Sequence, residues 1–147
     1  MRLVIQRVSS ASVEVESAVV GRIGVGLLVL VGVARGDTVQ VAERLAAKVA
    51  RLRVFPHERG HLDRSVVDVG GEALVVSQFT LLADSKRQTG ARPSFSDAAP
   101  PDVAESLIEH FVRVLRSHDV HVETGKFGAH MFVDLVNDGP VTLILDA

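Results

Sequence analysis

The sequence contains no cysteine, no tryptophan and no tyrosine. Without cysteine there is no disulfide, no thiolate zinc site, no iron–sulfur cluster and no Cys nucleophile. The absence also fits a reducing compartment. Without Trp and Tyr, any aromatic stacking surface must come from six phenylalanines, at positions 55, 79, 95, 111, 127 and 132. Proline (5) and glycine (12) are sparse and follow no period, which excludes collagen-like and low-complexity chains. Long hydrophobic runs are missing too. The longest, Gly26 to Ala34, is far short of the ~20 residues of a membrane-spanning helix. Neither sign of charge dominates: 16 Lys and Arg against 18 Asp and Glu leave a net charge of −2. The broad basic footprint of a bulk nucleic-acid binder is therefore absent, although contact with one end of a nucleic acid is still allowed.

What remains is an ordinary globular composition, 47% hydrophobic and 23% charged over 147 residues. That length and composition predict a single domain, 1–147, with its own core. The opening Met1-Arg2-Leu3-Val4-Ile5-Gln6-Arg7 alternates and carries charge, unlike a signal or transit peptide. A cytoplasmic protein without a membrane partner is expected.

Period-2 alternation predicts strands over Leu3–Val8 and Ser12–Ser17, and the apolar run Leu27–Val33 predicts a buried strand. Asp37-Thr38 start a helix carrying Val39, Ala42, Leu45, Ala46 and Val49 at helical spacing. Leu52–Phe55 and Ala73–Leu82 read as strands, with His57–Arg64 a loop and Asp84–Pro93 a basic loop. Pro100 and Pro101 open a second helix with an apolar stripe at Val103, Leu107, Ile108, Phe111, Val114 and Leu115. Val120–Glu123, Met131–Val136 and Val141–Leu145 close the chain as strands, the last two joined by a turn at Asn137-Asp138-Gly139-Pro140. The order predicts an α+β fold of mostly antiparallel sheets with two main helices on one side.

The familiar chemical motifs are missing. There is no phosphate-binding loop, no dinucleotide fingerprint and no nucleophile elbow. The pairs His57/His61 and His118/His121 lack the flanks of a metal site, so no metal and no cofactor are expected. Two local anomalies stand out. Polar residues crowd the end of an apolar strand in Ser77-Gln78-Phe79-Thr80, where each buried one needs a hydrogen-bond partner. Pro140 directly follows Gly139 in a hairpin-like turn, where it removes a donor and restricts its neighbour. Taken alone, each has an ordinary reading, a satisfied strand edge and a tight turn.

Together they resemble one family. Ser77-Gln78-Phe79-Thr80-Leu81 and Asn137-Asp138-Gly139-Pro140-Val141-Thr142 look like the paired signatures of the D-aminoacyl-tRNA deacylases. Ile5-Gln6-Arg7-Val8-Ser9, Asp68-Val69-Gly70-Gly71-Glu72, Arg92-Pro93-Ser94-Phe95 and Glu123-Thr124-Gly125 with Phe127-Gly128-Ala129 extend the likeness along the whole chain. The sequence departs from the family pattern at Leu62-Asp63, His130 and Phe132.

The resemblance implies a homodimer of layered β/β/α subunits that proofreads aminoacyl-tRNA. It would hydrolyse the ester of D-aminoacyl-tRNA, and of glycine mischarged on alanine tRNA, and spare L-aminoacyl-tRNA. It implies a catalytic site from Ser77, Gln78, Phe79 and Thr80, entered by a cis Gly139-Pro140 of the partner subunit. Arg7 would orient that dipeptide and Met131 would line the pocket. The terminal 2′-hydroxyl of the tRNA would assist hydrolysis, with Thr80 as nucleophile the competing idea. Lys86, Arg87 and Arg92 are candidates for touching the acceptor end of tRNA. Two other readings stay open: an L-serine editing domain of the threonyl-tRNA synthetase type, and a non-catalytic homodimer that binds tRNA ends.

Overall fold

The computed structural model describes residues 1–58, 60–83 and 91–147. Its framework is one long strand, β1 (Arg2–Val15). One edge of β1 carries two antiparallel partners end to end, β3 (Gly26–Gly32) against Arg2–Val8 and β2 (Ala18–Ile23) against Ala11–Val15. The other edge is taken along almost its whole length by β8 (Phe132–Asp146), also antiparallel. From β3 the sheet continues through two parallel pairs, to β6 (Glu72–Ser77) and then β7 (His121–Thr124). The main sheet is thus mostly antiparallel, as expected, with two parallel pairs added. Parallel neighbours need long crossovers. Here the two crossovers contain α1 (Val39–Arg51) and α2 (Pro101–Ser117). β2 curls towards β7, and a Cβ on Gly21 would lie 2.8 Å from the Thr124 carbonyl, so the sheet nearly closes on itself. A small hairpin-like sheet of β4 (Phe55–Pro56) and β5 (Leu62–Arg64) stands where the sequence suggested a strand followed by a loop.

Both helices pack on one face of the sheet. Ala42, Leu45, Ala46 and Val49 of α1 and Leu107, Phe111 and Leu115 of α2 cover Leu3, Ile5, Leu27, Val29, Val31 and Val75. Thr38 caps α1 by accepting the Val41 amide, and Pro101 begins α2 where no amide is needed. Val39 and Val103, at the helix starts, remain exposed. The opposite face holds a second apolar cluster: Val8, Ala11, Val13, Ile23, Leu28, Leu74 and Val76, covered by Met131, Val133 and Leu135.

β1 contributes Leu3 and Ile5 to the first cluster but Val8, Ala11 and Val13 to the second. A regular strand keeps residues of one parity on one face. The parity changes because an extra residue of β1 intervenes between Val8 and Ser10, opposite Asn137 and Val136. β8 makes the reciprocal change. From Gln6 to Val8, β1 advances two residues while β8 runs from Thr142 to Asn137, five. Val133 and Leu135 therefore join the second cluster, and Val141, Leu143 and Leu145 the first. This corrects two sequence expectations. The two N-terminal strands are one bulged strand, and Asn137–Pro140 is no hairpin turn but an excursion within one continuous strand.

Candidate active site

β6 ends at Ser77, earlier than its apolar residues suggest. Gln78 turns out of the strand (φ −148°, ψ 79°) while its amide still donates to the Val31 carbonyl at 2.8 Å. Phe79–Leu82 then form a single 3₁₀ turn, the correction to a strand reaching Leu82. Gly32 makes this possible, because a Cβ there would meet Leu82 Cδ2 at 2.4 Å and the Gln78 carbonyl at 3.0 Å. The first internal bond of the turn runs from Leu81 N–H to the Gln78 carbonyl (3.2 Å). The amides of Phe79 and Thr80 stand ahead of it, as the first N–H groups of a helical turn do.

Ser77, Gln78 and Phe79 line a cleft of about 540 Å³. Its other walls are Ala98 and Ala99, the start of α2 at Pro101 and Ala104, and the segment Phe127–Met131. The Ala98–Ala99 wall is anchored to the end of β3 by the Arg35 N–H to Asp97 carbonyl and Ala99 N–H to Val33 carbonyl bonds, both 2.9 Å. Phe79 is 60% exposed and meets Phe95 edge to face at 5.1 Å. Thr80 is exposed outside the lining, and its hydroxyl accepts from Gln78 Nε2. Among the described residues the cleft is lined by no Asp, Glu, Lys or Arg, and the one titratable side chain is His130, which packs edge-on against Phe132 at 4.9 Å.

The second motif is built around Arg7, which is 8% exposed. Its Nη1 donates to the Val54 carbonyl (2.6 Å) and its Nε to the Asp138 carbonyl (3.0 Å). Asn137 closes the excursion, accepting from the Val141 amide at 3.2 Å and donating to Thr142 Oγ1 at 3.0 Å. The Gly139-Pro140 peptide is cis, and Gly139 has φ +134°. Both residues are exposed and neither lines the cleft of its own chain.

The structure therefore brings Ser77, Gln78, Phe79 and Met131 together and places Arg7 against the Gly139-Pro140 segment elsewhere. Arg92 is exposed, while Lys86 and Arg87 lie outside the described residues. Sequence reasoning missed Ala98, Ala99 and the position of His130 in the wall, and the clamping role of Asn137. The alanines carry no chemical signal, whereas Asn137 could have been found from its place in the second motif. Among the described residues no three His, Asp or Glu side chains converge as a metal ion requires. No described helix is long and apolar enough to cross a membrane.

Residues 4–146 match the family model for D-Tyr-tRNA(Tyr) deacylase. The chain is 58% identical to the D-aminoacyl-tRNA deacylase of Roseiflexus sp. (strain RS-1), over all of this chain and 94% of that protein. It is 57% identical to that of Ruegeria pomeroyi, over 99% of both. A solved structure described as a c-Myc DNA unwinding element binding protein superposes with a TM-score of 0.92 at 41% identity, covering 100% of this chain and 99% of the other. A probable eukaryotic D-amino acid tRNA deacylase shares the fold at 17% identity, with a TM-score of 0.86 over 99% and 98% of the two chains. Motifs, fold and full-length similarity agree, and the chain belongs to the D-Tyr-tRNA(Tyr) deacylase family.

Proposed function

We propose that the cleft under Ser77–Thr80 hydrolyses the ester joining a D-amino acid, or glycine on alanine tRNA, to the 3′ end of tRNA. The observation that carries the chemistry is what lines the cleft: a hydroxyl, an amide and apolar side chains, with His130 packed edge-on against Phe132 and, among the described residues, no carboxylate or lysine. Such a site positions a substrate and stabilises charge better than it supplies a base. The amides of Phe79 and Thr80, at the start of the turn, hold the developing oxyanion. The substrate's own 2′-hydroxyl assists the hydrolysis. Positioning the ester against it converts a bimolecular attack into an intramolecular one.

The protein acts as a homodimer in this reading. β8 pairs only with β1 among the described residues, so its other edge is free. Phe132, Val136 and Ile144 along it are 62%, 58% and 64% exposed. A second copy covers that edge and brings its Gly139-Pro140 into the cleft. Their carbonyl oxygens face the α-carbon of the amino acid. Hydrogen there, as in a D residue or glycine, is accepted; an L side chain collides. Rejection of the wrong enantiomer then needs no grip on the right side chain.

The test compares matched D- and L-aminoacyl-tRNA, glycyl-tRNA on alanine tRNA, and a D-aminoacyl-tRNA ending in 2′-deoxyadenosine. Loss of the D and glycyl esters alone is expected, with the deoxy substrate slowed at least about a hundredfold, the scale of one transition-state hydrogen bond. Hydrolysis of the L ester at a comparable rate overturns the chirality gate, and rapid hydrolysis of the deoxy substrate overturns the 2′-hydroxyl role.

A further inference from the structure

A second depression of about 480 Å³ runs along α2 beside the cleft. The two share Ser77, Ile108 and Phe127, so they form one trough. α2 gives Pro101, Ala104 and Ile108 to the cleft, then Glu105, Glu109, Arg113 and Arg116 to the depression. Those four fall at spacings of three and four, one stripe of a helix. Charge along the stripe is graded, acidic beside the cleft and basic beyond it. Lys126, between β7 and Phe127, adds a third cation. Arg116 is held by a bond to the Val122 carbonyl (2.8 Å), and Arg113 Nη2 lies 3.1 Å from His110 Nδ1. From Ile108 to Arg116 the helix rises about 12 Å.

We infer that this trough carries the unpaired nucleotides that precede the aminoacylated one, with their phosphates on Arg113, Arg116 and Lys126. The inference rests on the proposed activity, which puts the terminal nucleotide in the cleft and requires the strand to leave it somewhere. A strand leaving along α2 meets Glu105 and Glu109 first. They repel phosphate, which keeps the backbone off the near end, and they offer acceptors to exocyclic amino groups of the bases. The three cations then neutralise phosphates one step further out. Arg92, exposed on the segment that precedes the Ala98–Ala99 wall, lines neither the cleft nor the depression.

The experiment measures binding of a short fluorescent CCA-ended oligoribonucleotide across a salt series. The proteins are the wild type, Arg113→Glu/Lys126→Glu, the charge-preserving Arg113→Lys/Lys126→Arg, and Arg92→Glu. Charge reversal should raise Kd at least about tenfold and flatten the log Kd against log salt slope by about 1.4, the value for two single-strand phosphate contacts. The charge-preserving pair should bind like the wild type, which separates lost charge from lost fold. In deacylation, kcat/KM should fall further for D-aminoacyl-tRNA than for D-aminoacyl-adenosine, which has no preceding nucleotide. Unchanged binding on charge reversal, or a loss confined to Arg92→Glu, overturns the inference. A wild type that binds the oligonucleotide through this trough but hydrolyses no ester leaves the inference standing and overturns the activity instead.

Discussion

The guanidinium of Arg7 spans two segments, donating to the carbonyl of Asp138 at 3.0 Å and, 2.6 Å away, to that of Val54. It sits where β1 and β8 both change faces, so one side chain fixes both the crossing of the sheet and the base of the Gly139-Pro140 segment.

Arg7→Lys keeps the charge but has a single ammonium where the fork reached two acceptors. A buried acceptor left unpaired costs about 1–3 kcal/mol. Urea unfolding should show a loss of that size, and the ratio of D- to L-aminoacyl-tRNA deacylation should fall. A loss of stability with an unchanged ratio would separate Arg7 from selection.

Gly139→Ala forces a Cβ to within 2.9 Å of Val141 Cγ2 and 3.0 Å of Arg7 Nη2, at a φ of +134°. Strain of this kind costs about 1–3 kcal/mol, and activity towards D-aminoacyl-tRNA should fall sharply. Mixing the variant with Phe79→Ala should restore activity, since one cleft of a mixed dimer then has both an intact wall and an intact dipeptide. No recovery in a verified mixed dimer would mean that each chain completes its own site.

Thr80→Ala removes an exposed hydroxyl whose partner is Gln78. Single-turnover deacylation should slow less than about tenfold. Removing a true nucleophile costs on the order of 10⁶, so a loss approaching that would return Thr80 to the centre of the chemistry.

Asp68 accepts from both the backbone N–H (2.7 Å) and the hydroxyl (2.8 Å) of Ser65. These bonds hold its carboxyl below the ordinary 3.8. The unfolded chain therefore takes up the proton first as pH falls, and folding gains stability with rising pH through this range. The contribution is complete above about pH 4 and is lost as pH falls through the lowered folded value. The stability gap between wild type and Asp68→Asn, measured by denaturation, should be constant near neutrality and shrink in acid.

The helices were legible because each carries an apolar stripe at one period, and β3 because a short apolar run between glycines suits a buried strand. β1 and β8 were not, because each reverses its parity midway. Read along one strand, the break at Ser9-Ser10 is indistinguishable from a strand end, and only its partner shows that pairing continues. The end of β6 was hidden by Phe79, Leu81 and Leu82, whose apolar side chains suit a strand as well as the turn they form. At the site, Ser77–Thr80 and Asn137–Thr142 announced themselves by polar crowding and by Gly-Pro. Of the remaining wall, Phe127–Ala129 and Met131 were marked only by the family resemblance, and Ala98 and Ala99, without functional groups, by nothing local.

The pairing of β1 with β8 also sets an order of events. Arg2 lies opposite Asp146, and Glu14 opposite Phe132. A chain made from its N-terminus synthesises β1 before everything else described here and its longest partner after α2 and β7. One edge of β1 must wait, until α2 and β7 have been made, for a neighbour that does not yet exist. Contacts this distant in sequence are slow to form, and an unpaired apolar strand invites the wrong partner. Leu27–Val31, the first long run to emerge that can cover the other edge, is thus the guardian of the nascent strand as well as the middle of the finished sheet.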